Sequence, residues 1–110
     1  MSMGFAEVVT VLKSTGIPVS NSAFAERSGY PQMVVYRSGH EHIYTENRNF
    51  ADVVAYTAEL YTTVASPATE RTVEQALSGA GITYKKSGDT HNADEKWHRV
   101  EYTFKCVETI

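Results

Sequence analysis

Only one cysteine, Cys106, occurs in the 110 residues, so no disulfide within the chain can support the fold. A lone thiol suits a reducing compartment, and synthesis in the cytoplasm is expected. Prolines number three, too few for an extended proline-rich chain. Apolar runs are short, far below the ~20 residues that a membrane helix needs. The N-terminus shows no charged stretch followed by an apolar one, so no signal peptide is expected. Basic charge is also scarce. The net charge is −3, and no Lys/Arg run exceeds Lys85–Lys86. That balance argues against sequence-specific nucleic-acid binding. Glycine-rich phosphate loops, CxxC pairs, GxSxG and HExxH are all missing.

Hydrophobic residues make up 42% of the chain and no repeat interrupts it, so one domain spanning 1–110 is expected. Phe5, Val8, Val9 and Leu12 place an apolar stripe on a first helix over Gly4–Ser14, closed by Gly16 and Pro18. Val19, Ala23 and Phe24 fit an edge segment or a loop. Met33–Tyr36 reads as a strand, Ser38–Gly39 as a turn, and His40–Thr45 as the hairpin partner. Glu46–Asn49 is polar and rich in turn formers.

Val53–Thr63 alternates with neither face wholly polar, the pattern of a central strand. Ser66 and Pro67 form a helix start, with Val73, Ala76, Leu77 and Ala80 as the buried stripe and Gly81 as the stop. Ile82–Lys86 begins another strand, and Ser87–Asp94 is a polar connection. Trp97–Val107 then alternates cleanly, with His98, Val100, Tyr102, Phe104 and Cys106 on one side. The order predicts an α+β fold: a mostly antiparallel sheet of four to five strands with two helices packed on one face.

Three constellations have chemical potential. His40 and His42 would share one strand face, and His91 and His98, with Asp89 or Asp94, would have to complete a metal site. Surface histidines at a hairpin explain the same residues without a metal. Cys106 shares a face with Tyr102 and Phe104, which suits a buried small hydrophobe better than a reactive thiolate. Glu41, Glu46, Asp52 and Glu59 offer carboxylates, but they are scattered as on a solvated face. No catalytic residue, cofactor or metal is expected.

The aromatics point elsewhere. Seven tyrosines and Trp97 are many for a small domain, and Tyr36, Tyr44, Tyr56, Tyr61, Tyr84 and Tyr102 fall in expected strands. A small core does not bury them all, and surface Tyr and Trp favour protein contacts. Self-association through a sheet face or edge is therefore expected, using His40, His42, Tyr44, Arg48, Tyr61, His91 and Trp97.

The segments Pro31–Tyr36 (PQMVVY), Ala51–Thr62 (ADVVAYTAELYT), Ala68–Leu77 (ATERTVEQAL), Gly81–Lys85 (GITYK) and Trp97–Phe104 (WHRVEYTF) follow one another in a distinctive order. In that order and spacing the chain resembles small head–tail joining proteins of siphophages and prophages, the tail completion or tail terminator proteins. The likeness runs over about residues 5–107 and involves structural positions, not a catalytic motif. It implies a ring, a hexamer, that caps the tail tube and docks to the head connector or stopper protein in the virion. It further implies that Ser38–Asn49 and Ser87–Asp94 are the loops that meet the tube or a neighbour.

Overall fold

The computed structural model describes residues 4–21, 31–45, 48–63, 66–88, 90–92 and 97–109. Its first helix, α1 (Phe5–Lys13), buries Val8 and Leu12 on the expected stripe. The Glu7 carboxylate accepts the Gly4 backbone N–H at its start. Gly16 ends the turn that follows at φ +81°, where a Cβ would be strained. Strand β1 (Val19–Asn21) comes next; Ala23 and Phe24 lie outside the described residues.

Two long strands dominate the chain. Strand β2 (Gln32–Thr45) pairs antiparallel with β3 (Arg48–Thr62) along almost its whole length. The turn expected at Ser38–Gly39 is instead a bulge. Arg37 stands opposite Tyr56 and Gly39 opposite Ala55, so Ser38 is the extra residue. Gly39 suits the close packing there, because a Cβ at that position would approach the Ala55 Cβ to 3.3 Å, tighter than an ordinary contact. The chain reverses only beyond Thr45, and Glu46 and Asn47 lie outside the described residues. Ser38–Asn49 is therefore mostly strand where a loop is expected.

Helix α2 (Pro67–Gly79) starts as its sequence predicts, with the Ser66 hydroxyl accepting the Thr69 N–H and Pro67 at its first position. Strands β4 (Tyr84–Lys86) and β5 (Thr90–Asn92) follow, then β6 (Trp97–Thr109). The expected polar connection Ser87–Asp94 thus contains a short strand; Asp89 and Asp94 lie outside the described residues.

The sheet order is β1-β2-β3-β6-β4, with β5 also against β6. Only the β1–β2 pair is parallel. This is the α+β architecture that the sequence implies, with β3 at its centre. Both helices lie on one face: Val8, Leu12, Val73 and Leu77 join Met33, Val35, Tyr56, Leu60, Val100 and Tyr102 in one buried cluster. Cys106 belongs to the same cluster, as expected of a small hydrophobe.

Length sets how far this core reaches. Helices of 9 and 13 residues span about 14 and 20 Å. The 15-residue β3 spans about 50 Å, which accounts for the 53 × 26 × 25 Å extent. On the helix side the buried cluster stops at Val54 and Cys106. Past that row, β2, β3 and β6 continue as a three-stranded arm.

A polar clasp fixes β4 to the helix layer. Lys86 Nζ contacts the Glu70 and Glu74 carboxylates at 2.6 and 2.9 Å, and the Tyr102 hydroxyl donates to Glu74 at 2.9 Å. Burial alone would raise the Glu74 carboxyl. Hydrogen bonds from Lys86 and Tyr102, with the Lys86 charge, outweigh it and hold Glu74 below the usual carboxylate value. Tyr102 is pushed strongly upward, first by burial and then by Glu74, so it remains a donor. A lowered carboxylate contributes stability that is present above its unfolded pKa and lost as pH falls through the folded one. Glu74→Gln should therefore flatten the acid limb of thermal melts between about pH 5 and 3, relative to the parent chain. Parallel acid limbs would show that the clasp contributes nothing.

Candidate functional site

The sheet face away from the helices carries a compact aromatic and charged cluster. Alternation places Tyr36 of β2, Glu59 and Tyr61 of β3, and Trp97, Arg99 and Glu101 of β6 on that side. Register decides the chemistry. Glu59 stands directly opposite Glu101, a like-charge pair that is unfavourable by itself. Arg99, one pleat along, resolves it. Its Nη2 lies 3.3 Å from Glu101 Oε1 and its Nη1 3.9 Å from Glu59 Oε2.

Two phenols complete the set. The Tyr61 hydroxyl donates to Glu59 Oε1 at 2.9 Å and the Tyr36 hydroxyl to Oε2 at 3.3 Å. Burial raises the Tyr61 and Tyr36 hydroxyls above the ordinary phenol value, and Glu59 pushes in the same direction. Both stay protonated as donors. The Trp97 ring meets Tyr61 edge-on, centroids 5.2 Å apart, and the Arg99 guanidinium sits 5.7 Å from the Trp97 centroid. The Arg99 Nε is buried without a hydrogen-bond partner.

Both carboxylates of the cluster are engaged by donors, Glu59 by Tyr61, Tyr36 and Arg99 and Glu101 by Arg99. The arrangement suits recognition better than acid–base catalysis. Tyr, Trp and Arg grouped around a dense centre are the residue types that carry binding energy at protein interfaces.

The sequence-expected contact residues divide. Trp97 is half-buried within this cluster, but Tyr61 is only 7% exposed and so acts chiefly by holding Glu59 and Trp97 in place. His40 lies on the arm, exposed, with its Nε2 3.4 Å from Asp52 Oδ2. His42, Tyr44, Arg48 and His91 have described backbone in β2, β3 and β5, but their side chains lie outside the described residues. The surplus of tyrosines is smaller than expected: Tyr56 and Tyr102 are fully buried, Tyr56 between Phe5 and Phe104.

A four-histidine metal site does not assemble. His98 is buried opposite Thr62, whereas His40 is opposite Val54. Those two partner positions stand roughly 27 Å apart along β3 at ~3.4 Å per residue. Among the described residues no group of three His, Cys, Asp or Glu side chains is placed to hold a metal ion. No helix among them is long and apolar enough to cross a membrane.

Glu59, Arg99 and Glu101 were not legible as a cluster from sequence, where they read as ordinary solvated charges. The signal that finds them is register: once β3 and β6 pair with Glu59 against Glu101, an arginine in the adjacent row is the expected remedy. No protein-family model matches the chain, and no curated protein matches it.

Proposed function

We propose that the protein is a structural component of the head–tail joining region of a siphophage or prophage, a tail completion or tail terminator protein. Its copies form a ring, a hexamer, that caps the tail tube and docks to the head connector. It is made in the host cytoplasm and resides in the virion neck. The reading starts from the order of the segments PQMVVY, ADVVAYTAELYT, ATERTVEQAL, GITYK and WHRVEYTF. The observation that supports it best is the division of labour in the sheet. One face is sealed by both helices, while the other presents the Tyr36–Glu59–Trp97–Arg99 cluster, and the arm runs on past the helices. Such a domain offers a face and an arm to other proteins.

Deleting the gene from its phage or prophage should give tail tubes of uncontrolled length that do not join heads. Negative-stain microscopy of the purified chain with tail tube protein should show a ring at one tube end. Tails of normal length, joined to heads, in the deletion lysate would overturn the terminator role. Rings combined with normal tube length would assign the chain to another neck position.

A further inference from the structure

We propose that copies of this chain join head to tail by sheet continuation, the β2 edge of one copy lying against the β6 edge of the next. The proposal rests on the ring reading and names the contact that closes the ring.

Among the described residues both outer edges of the sheet are only partly covered, and they open within one step of each other along β3. On one side β1 pairs with β2 at Met33–Val35. On the other, β4 pairs with β6 at Tyr102–Phe104. Val35 and Tyr102 are both opposite Ala58, and Phe104 lies opposite Tyr56, one short step along β3. Among the described residues no strand flanks β2 beyond Val35 or β6 beyond Phe104. Among the described residues the arm thus carries two unextended edges on opposite sides.

Direction also matches. Strands β2 and β6 are each antiparallel to β3, so they run the same way. Copies related by rotation about a ring axis therefore bring β6 of one and β2 of the next together as a parallel pair, with evenly spaced hydrogen bonds.

Side chains select the pairing. Glu41 and Lys105 are exposed, project from the same face, and take part in no ion pair among the described residues. Gly39 shares the Lys105 row across Ala55, and Glu41 shares the Val107 row across Val53. A neighbour placed level thus sets its Glu41 beside Val107 and diagonally across from Lys105, within reach of a long side chain. Val107, 41% exposed, is the exposed large hydrophobic side chain among the described residues. Beside it a cleft of about 520 Å3, lined by Ile82, Tyr84, Phe104 and Val107, follows the β6 edge where β4 ends. A strand added there covers both.

The same charges disfavour other unions. Two β6 edges bring lysine towards lysine, and two β2 edges bring glutamate towards glutamate. Unlike edges attract, and a heterologous contact of this kind closes into a ring when its rotation divides the full turn.

The test is charge exchange, read by sedimentation of the full-length chain. Glu41→Lys and Lys105→Glu should each weaken assembly at least about tenfold. The double variant should return to within about threefold of the parent. An equal mixture of the two single variants should also reassemble, because every contact then joins either a native or an exchanged pair. Circular dichroism should show each variant folded as the parent is. Rings unaffected by either single change would overturn this contact and leave the ring reading intact. Single variants that weaken assembly without rescue in the double would also overturn it, and would point to a foreign extended segment on the β6 edge. A parent chain that remains monomeric at every concentration, with and without tail tube protein, would overturn both.

Discussion

Replacing Leu77 by alanine should destabilise the fold by about 2–5 kcal/mol in urea or thermal denaturation. Leu77 is completely buried at the C-terminal end of α2, within the cluster that joins both helices to the sheet. Its removal leaves a cavity that a helix held at both ends cannot collapse. Leu77 also sets the exit of α2. Its carbonyl accepts the Ile82 N–H at 2.9 Å, around a turn where Gly81 takes φ +78°. Loosening that corner disturbs the approach of β4 to β6. Small domains have only ~5–15 kcal/mol in total, so the variant should unfold at clearly lower denaturant. Ser78→Ala, one residue on and exposed, should change stability by less than about 0.5 kcal/mol. A Leu77→Ala loss as small as that of Ser78→Ala would mean that α2 is not seated on the sheet.

The second large effect is expected at Arg99. With Arg99→Met the Glu59 and Glu101 carboxylates face each other across β3 and β6 without the cation between them. A loss of about 1–3 kcal/mol is expected, the range for stranding partly buried charged partners. Adding Glu101→Gln removes the repulsion and should recover more than half of the loss. A double-mutant cycle measures this directly. Additive effects would show that the two carboxylates do not need the guanidinium. Methionine keeps most of the aliphatic packing on Trp97, which separates charge from volume. The same variant divides fold from recognition. A chain that stays folded but loses tube or neighbour contact places the cluster at an interface, whereas a chain that loses stability alone makes the cluster a brace for the open face.

Periodicity carried most of the fold in the sequence. The stripes Val8–Leu12 and Val73–Leu77, the Ser66–Pro67 start, the two-faced β3 and the alternation of β6 all follow from burial acting on residues one turn or one pleat apart. Features not set by burial were harder to read. Ser38–Gly39 has turn chemistry, but a bulge uses the same small residues, and only the unbroken pairing on β3 distinguishes them. Strand β5, Thr-His-Asn, has no apolar residue to mark it and exists because β6 offers a partner edge. Parallel β1 is equally short. The candidate cluster was half legible. Its aromatics stood out by number, yet Tyr61 was expected at the surface and is buried by Trp97 and its neighbours. Its charges were invisible because cross-strand register is not written in one strand.

The extra residue at Ser38 has a consequence for how this protein can vary. Side chains along a strand alternate in phase, and one inserted residue shifts the phase by half a period. Up to Arg37, odd-numbered positions of β2 point with the helix side; after the bulge, Gly39 and Glu41 stand in the rows of Lys105 and Val107 on the other face. The core and the arm are thus written in opposite phase on one continuous strand. Deleting Ser38 would turn Glu41 to the other side of the arm and leave Met33 and Val35 where they are. Selection can therefore retune what the arm displays, by sequence or by phase, without revising the part of the same strand that holds the helices.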